Sequence, residues 1–235
     1  EVDPYDPTAT PVKHTALGRT KHEGAGTTLS KDQRAVVYSG DDARFEYLYK
    51  FVSKGSFDPS DREANMKLLS EGTLHVAKFN ADGTGVWLPL VAGQGALTAA
   101  AGFGTQAEVC VNTRKAADLM GATKMDRPED VDVSPVTGKV YMACTNNSAR
   151  TSVAADAGEV KANPRLGNRW GHIIEISEDG GDNAATTFKW EILMLCGDPA
   201  VATHNTYFAG FDPSKVSKLS CPDNLDFDED GNLWI

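Results

Sequence analysis

The chain has 235 residues, 40% of them hydrophobic and 24% charged, the balance of a globular protein long enough to bury a sizeable core. A net charge of −10 argues against nucleic acid or an anionic membrane surface as the main partner. No uninterrupted apolar run approaches the roughly 18 residues that a membrane-spanning helix needs.

Glu1–Thr20, with Pro4, Pro7 and Pro11, reads as an irregular arm, and the remainder, 21–235, as blades of one larger domain. Lys21–Thr27 is polar and glycine-rich. Arg34–Ser39 and Arg44–Val52 flank Gly40-Asp-Asp-Ala43 and predict a hairpin. Ser56–Ser70 has no sustained period and reads as an insertion loop. Thr73–Phe79 and Gly85–Pro89 predict a second hairpin around Asn80–Gly83. Thr105–Met120 is the one predicted helix. Thr105-x-x-Glu108 forms a capping box, apolar residues recur at helical spacing, and Gly121 stops it. Ser148–Arg169 reads as a long loop. Trp170–Ser177 and Thr187–Leu195 predict another hairpin, and Gly197–Ser220 an irregular excursion.

The most informative stretch is Lys124–Asn147. It opens on Asp126-Arg127-Pro128-Glu129-Asp130, alternates through an apolar strand, turns at Thr137-Gly138 and returns to Cys144. Cys221–Ile235 repeats the design: Pro128 aligns with Pro222, Glu129 with Asp223, Asp132 with Asp226 and Gly138 with Gly231. A turn accounts for the glycines but not for a carboxylate after proline at two strand mouths. Hairpin turns fall at Gly40, Gly83, Gly138, Gly180 and Gly231, at intervals of 43, 55, 42 and 51 residues. Antiparallel strands repeating on that scale predict an all-β fold, a partial β-propeller with one inserted helix. Glu23, Glu129 and Asp223 are separated by 106 and 94 residues. If each step is two blades, these acids stand at channel-lining strands of alternate blades and converge on the axis.

Converging carboxylates repel unless cations lie between them. Hard oxygen donors without Cys–His spacing point to calcium, magnesium, manganese or ferric iron rather than zinc. Glu129 is the foremost candidate ligand, followed by Glu23 and Asp223. Asp130 either points the other way or meets a neighbouring ion; Asp132 and Asp226 are expected to face solvent. Arg127, two residues before Glu129, shares its face on an extended segment. It is placed either to hold a phosphate or to form a plain ion pair with Glu129. Asn146 and Asn147 are weaker candidates for oxygen ligands. His75 and His172 align at strand entries, where either the axis or a loop is within reach. Cys110, Cys144, Cys196 and Cys221 form no CxxC pair, which excludes a zinc ribbon or thioredoxin-type motif. Neither a phosphate-binding GxxxxGK[ST] loop nor a GxSxG elbow occurs.

Lys21-His-Glu-Gly-Ala25, Val37–Ser53, Gly121-Ala-Thr-Lys-Met-Asp-Arg-Pro-Glu-Asp130, Gly171-His-Ile-Ile-Glu175 and Pro222-Asp-Asn224 together resemble the PhoX-type bacterial alkaline phosphatases from about Leu17 onward. The resemblance implies a six-bladed propeller, exported to the periplasm or cell exterior, that hydrolyses phosphate monoesters at an axial cluster of iron and calcium. It implies Glu23, Glu129 and Asp223 as metal ligands, Arg127 as the substrate-phosphate contact, and small-molecule phosphate esters as substrates of a monomeric enzyme. The family's iron-bridging cysteine lies upstream of the HEGA motif and has no counterpart here. With no initiator methionine, no leader peptide and a last strand at Leu233–Ile235, the expectation is a piece of a longer protein. A calcium-dependent lactonase-like hydrolase and a non-catalytic, calcium-stabilised binding propeller are the alternatives; Arg127 favours the phosphatase.

Overall fold

The computed structural model describes residues 1–235. After an arm with one helical turn at Thr15–Leu17, the chain forms twelve strands: β1 (His22–Leu29), β2 (Arg34–Asp41), β3 (Leu48–Ser56), β4 (Gly72–Phe79), β5 (Thr84–Pro89), β6 (Pro128–Val133), β7 (Val140–Cys144), β8 (His172–Glu178), β9 (Thr187–Leu195), β10 (Tyr207–Phe208), β11 (Asp226–Phe227) and β12 (Leu233–Trp234). All pairings are antiparallel. β1 to β5 run in sequence order as one meander and β6 to β9 as another. The meanders join at their outer edges, where Thr84–Val86 of β5 pairs with Thr187–Lys189 of β9. At the opposite end of the path β1 lies against β6, so the ten-stranded sheet nearly closes. β11 and β12 form a separate hairpin. This is a partial, propeller-like all-β fold.

The topology changes the meaning of the hairpin interval. It counts half-sheets rather than blades, because two successive hairpins make one four- or five-stranded meander. Glu23, Glu129 and Asp223 therefore belong to three successive units, not to alternate blades. Two strands bury their inner faces only when four or more pair and stack, so the blade is the longer repeat.

One core lies between the meanders and contains Tyr38, Phe79, Trp87, Met142, Ile174 and Phe188. Its apolar fill surrounds a buried ion pair, Lys50 Nζ to Glu178 Oε1 at 2.9 Å. Tyr38 and Trp87 also donate to Glu178, so the buried carboxylate is met by three donors. The second core lies between the outer face of β2–β4 and the helices, with Tyr49, Phe51, Leu97, Phe103, Val109 and Ala117.

Four short helices replace the single predicted one: α1 (Arg62–Asn65), α2 (Gln106–Val111), α3 (Thr113–Met120) and α4 (Ala157–Ala162). The Thr105–Glu108 capping box is present, and Gly121 closes α3 in a left-handed conformation. Between them, Asn112 leaves helical geometry and splits the element. α1 and α4 fall in stretches read as loops. Each is capped by an aspartate, Asp61 or Asp156, but one or two turns are too short to print a helical period. The glycine-rich Lys21–Thr27 stretch becomes most of β1; its few β-forming residues hide a strand whose glycines serve a tertiary contact.

Candidate active site

Glu23 is the second residue of β1, Glu129 the second of β6, and Asp223 lies three residues before β11. Both long strands carry an irregularity at the acid: the register shifts between Glu23 and Gly26, and between Pro128 and Val131. Such bulges turn a side chain out of the regular alternation. Arg127 and Cys221, each just before its proline, hold φ of 56° and 54°, so the repeated motif is the same backbone device twice. A non-glycine residue in this region costs about 1–2 kcal/mol, and the surrounding pairing must hold it there.

Glycine brings the two first strands together. A Cβ on Gly24 would stand 2.2 Å from Asp130 Oδ1, and one on Gly40 2.2 Å from the Glu129 carbonyl oxygen. With no side chain in the way, β1 and β2 approach the β6 backbone closely enough for the acids to meet. One carboxylate oxygen each of Glu23, Glu129 and Asp223 then lies within 4.8 Å of the others. Glu129 is buried, Glu23 is half-buried and Asp223 is exposed, so the group faces solvent on one side.

The acids destabilise one another's charges. Burial drives the Glu129 carboxyl up, to about 9, helped by its hydrogen bond with Asp223 and the charge of Asp42, while Arg127 opposes the rise. Glu23 is raised by burial and by the charges of Asp223, Asp42 and Asp130. Two oxygens bound to one calcium at about 2.4 Å each lie at most about 4.8 Å apart. The donor set thus fits a hard cation such as calcium or ferric iron, whose charge would offset the repulsion among the acids.

Arg127 is fixed rather than free. Its Nε and Nη2 meet Asp42 Oδ1 at 2.8 Å, and Nη2 also reaches Glu129 Oε1 at 2.9 Å. The Arg127–Glu129 contact is therefore present, an ion pair whenever Glu129 is ionised, and the guanidinium edge bearing Nη1 has no protein partner. That edge is available to an anion, as a contact through one nitrogen. Beneath it, Asp126 is buried and accepts from Arg150 Nε at 2.7 Å and from Asn168 Nδ2 at 3.0 Å. Asp126 and Arg127 are adjacent but face opposite ways, one into the interior and one into the site.

Sequence reasoning missed Asp42, because an Asp-Asp pair in a turn carries no distinguishing signal. Asp41 turns the other way and binds Arg114. Asp130 and Asp132 hold backbone rather than standing free in solvent. Asp130 Oδ2 accepts from the Leu225 amide at 3.0 Å and Asp132 Oδ2 from the Phe227 amide at 3.1 Å, tying β11 to β6. Asn146 reaches Cys221 Sγ at 3.7 Å, and the Asn147 side chain accepts from the Ala149 amide; neither enters the acid group. His75 sits in β4 and His172 at the start of β8, away from the first strands. Burial lowers both to about 4, so they are neutral packing residues. The four cysteines are free thiols, and Cys144 and Cys196 are buried.

The chain matches the family model described as "Alkaline phosphatase PhoX" over residues 1–235. Among solved structures it is similar to Pseudomonas fluorescens PhoX in complex with vanadate, a transition state analogue. The identity is 42% and the TM-score 0.91, over 99% of this chain and 41% of that one. The chain thus spans less than half the length of that relative. No curated protein matches it. No helix is long and apolar enough to cross a membrane.

Proposed function

Since the chain belongs to the PhoX alkaline phosphatase family, we propose that it forms the metal-ligating and phosphate-contacting part of a phosphomonoesterase. The substrates are small-molecule phosphate esters. The observation that carries this reading is the meeting of Glu23, Glu129 and Asp223 within 4.8 Å, beside an arginine with an unpaired donor edge.

Glu23, Glu129 and Asp223 would hold calcium or ferric iron. Bound cations would neutralise the phosphoryl oxygens and make water more acidic, the usual contributions of a metal in phosphate hydrolysis. Arg127 donates through Nη1 to a phosphoryl oxygen and stabilises charge that grows toward the transition state. Asp42 holds the guanidinium plane, so little rotational freedom is lost when the substrate arrives. The buried Asp126–Arg150–Asn168 network fixes the backbone from which Arg127 projects. Holding a cation would require Glu129 in its ionised form, which the neighbouring Arg127 guanidinium favours. Export to the periplasm or cell exterior is part of the same reading, and is supported by the family resemblance alone.

The test is vanadate and phosphate binding by protein reconstituted with calcium and ferric iron, with metal content measured in parallel. Binding that needs the metals and competes with p-nitrophenyl phosphate supports the reading. Metal-loaded protein that binds neither anion refutes it.

A further inference from the structure

A second concavity lies between the segment before β1 and the start of α3. It is a cavity of about 420 Å³ lined by Arg19, Thr20, Lys21, Thr113, Arg114 and Lys115, with Asn112 and one apolar residue, Val111. Four of its eight lining residues are cations and none is acidic, against the grain of a chain carrying −10. Arg114 is neutralised by Asp41 and Glu46. Lys115 Nζ donates only to the Ala101 carbonyl, at 3.3 Å. Arg19 and Lys21 are exposed and form no ion pair, although the chain is rich in acids that exposed cations elsewhere do find. The amides of Thr113, Arg114 and Lys115 open α3 without a backbone acceptor. Unpaired positive charge and free amides around one hollow are the parts of an oxyanion site.

We propose that this cavity is a second anion site that takes a tetrahedral phosphate dianion beside the carboxylate centre. Its position ties it to that centre. Lys21 precedes Glu23 by two residues in the chain. The Lys21 amide donates to Asp41 Oδ1 at 3.1 Å, and its carbonyl accepts from the Asp42 amide at 3.0 Å. Asp42 in turn holds Arg127. A single strut of backbone therefore carries both the basic cavity and the arginine clamp. The cavity would hold either the distal phosphate of a doubly phosphorylated substrate or free product phosphate. That link to turnover rests on the phosphatase reading above, whereas anion binding at the cavity does not.

The experiment uses the chain after exhaustive chelation, so that no metal contributes. Inorganic phosphate is titrated while the amide resonances of Thr113–Lys115 are followed by NMR. Saturable shifts at these amides are expected, and the double variant Arg19→Ser/Lys21→Ser should weaken binding about tenfold, because each exposed cation is screened by solvent and contributes less than a buried contact. Lys189→Ser, which removes an exposed cation on β9, should leave binding unchanged. Amides that do not move overturn the proposal, as does equal weakening by Lys189→Ser, which would mark general attraction to cations. Glucose 1,6-bisphosphate and glucose 6-phosphate are then compared. Tighter binding of the bisphosphate that disappears in Arg127→Ala assigns the cavity to a distal phosphate; equal binding assigns it to free phosphate. Vanadate binding at Arg127 in metal-loaded protein is scored separately, so this proposal and the phosphatase reading fail independently.

Discussion

Replacing Arg127 with alanine should separate phosphate recognition from metal binding. The guanidinium donates to Asp42 and Glu129 through Nε and Nη2 and keeps Nη1 unpaired. Alanine removes the one donor edge that faces an incoming anion. A hydrogen bond to a charged partner is worth about 1.5–3 kcal/mol, so phosphate or vanadate affinity should fall roughly tenfold to a hundredfold. Metal content should stay near that of the parent protein, because guanidinium ligates nothing and its loss frees Glu129 Oε1. Arg127→Lys should recover only part of the affinity, since ammonium keeps the charge but not the planar fork that Asp42 grips. Asp42→Asn should lower affinity less, about threefold to tenfold, because the guanidinium remains but is held by a weaker, neutral acceptor. Each protein is loaded with calcium and ferric iron, its metals are quantified, and vanadate affinity is measured by calorimetry. Arg127→Ala that loses metal while Glu129→Gln retains it would invert the assigned roles. Both variants keeping metal and full anion affinity would make the motif structural.

Glu129→Gln should bind less metal and lose the thermal protection it confers; at a free metal concentration of a hundred times Kd that protection is about 2.7 kcal/mol, read as a Tm shift before and after chelation. Gly40→Ala should destabilise by about 1–3 kcal/mol, because the new Cβ would stand 2.2 Å from the Glu129 carbonyl oxygen, and should weaken metal binding by displacing β6; urea unfolding with metal titration checks both. Burial lowers His172 to about 4 against about 6.5 unfolded, so between these values the unfolded chain binds the extra proton. Its stabilising contribution is complete above about pH 6.5 and is lost as pH falls toward 4, by roughly 3 kcal/mol in total. His172→Gln should flatten that part of the stability–pH curve, and an unchanged slope would contradict the assignment.

Local chemistry made much of this protein legible from its sequence. Alternating apolar residues and Gly-containing turns located the β2–β3, β4–β5, β6–β7 and β8–β9 hairpins, because side-chain alternation and turn propensity are properties of a few neighbouring residues. The capping box at Thr105 and the stop at Gly121 were equally local. The repeated proline–carboxylate pair singled out Glu129 and Asp223, the spacing along the chain added Glu23, and the HEGA resemblance pointed to the same residue. The structure brings these three together.

What the tertiary structure alone decided depends on partners distant in the chain. Whether a hairpin is half a blade or a whole one rests on which edges pair, and the β5–β9 junction joins residues about a hundred positions apart. Which of several neighbouring acids turns toward the centre rests on bulges, since a shift of one residue sends every following side chain to the other face. Thus Glu129 enters the site, whereas Asp130 and Asp132 tie β11 to β6 through the Leu225 and Phe227 amides. Asp41 and Asp42, indistinguishable in sequence, divide between Arg114 and Arg127 for the same reason. The glycines of β1 appeared only as a low strand propensity; the β6 backbone pressed against them is what requires the missing Cβ, and no local pattern records a neighbour that arrives a hundred residues later.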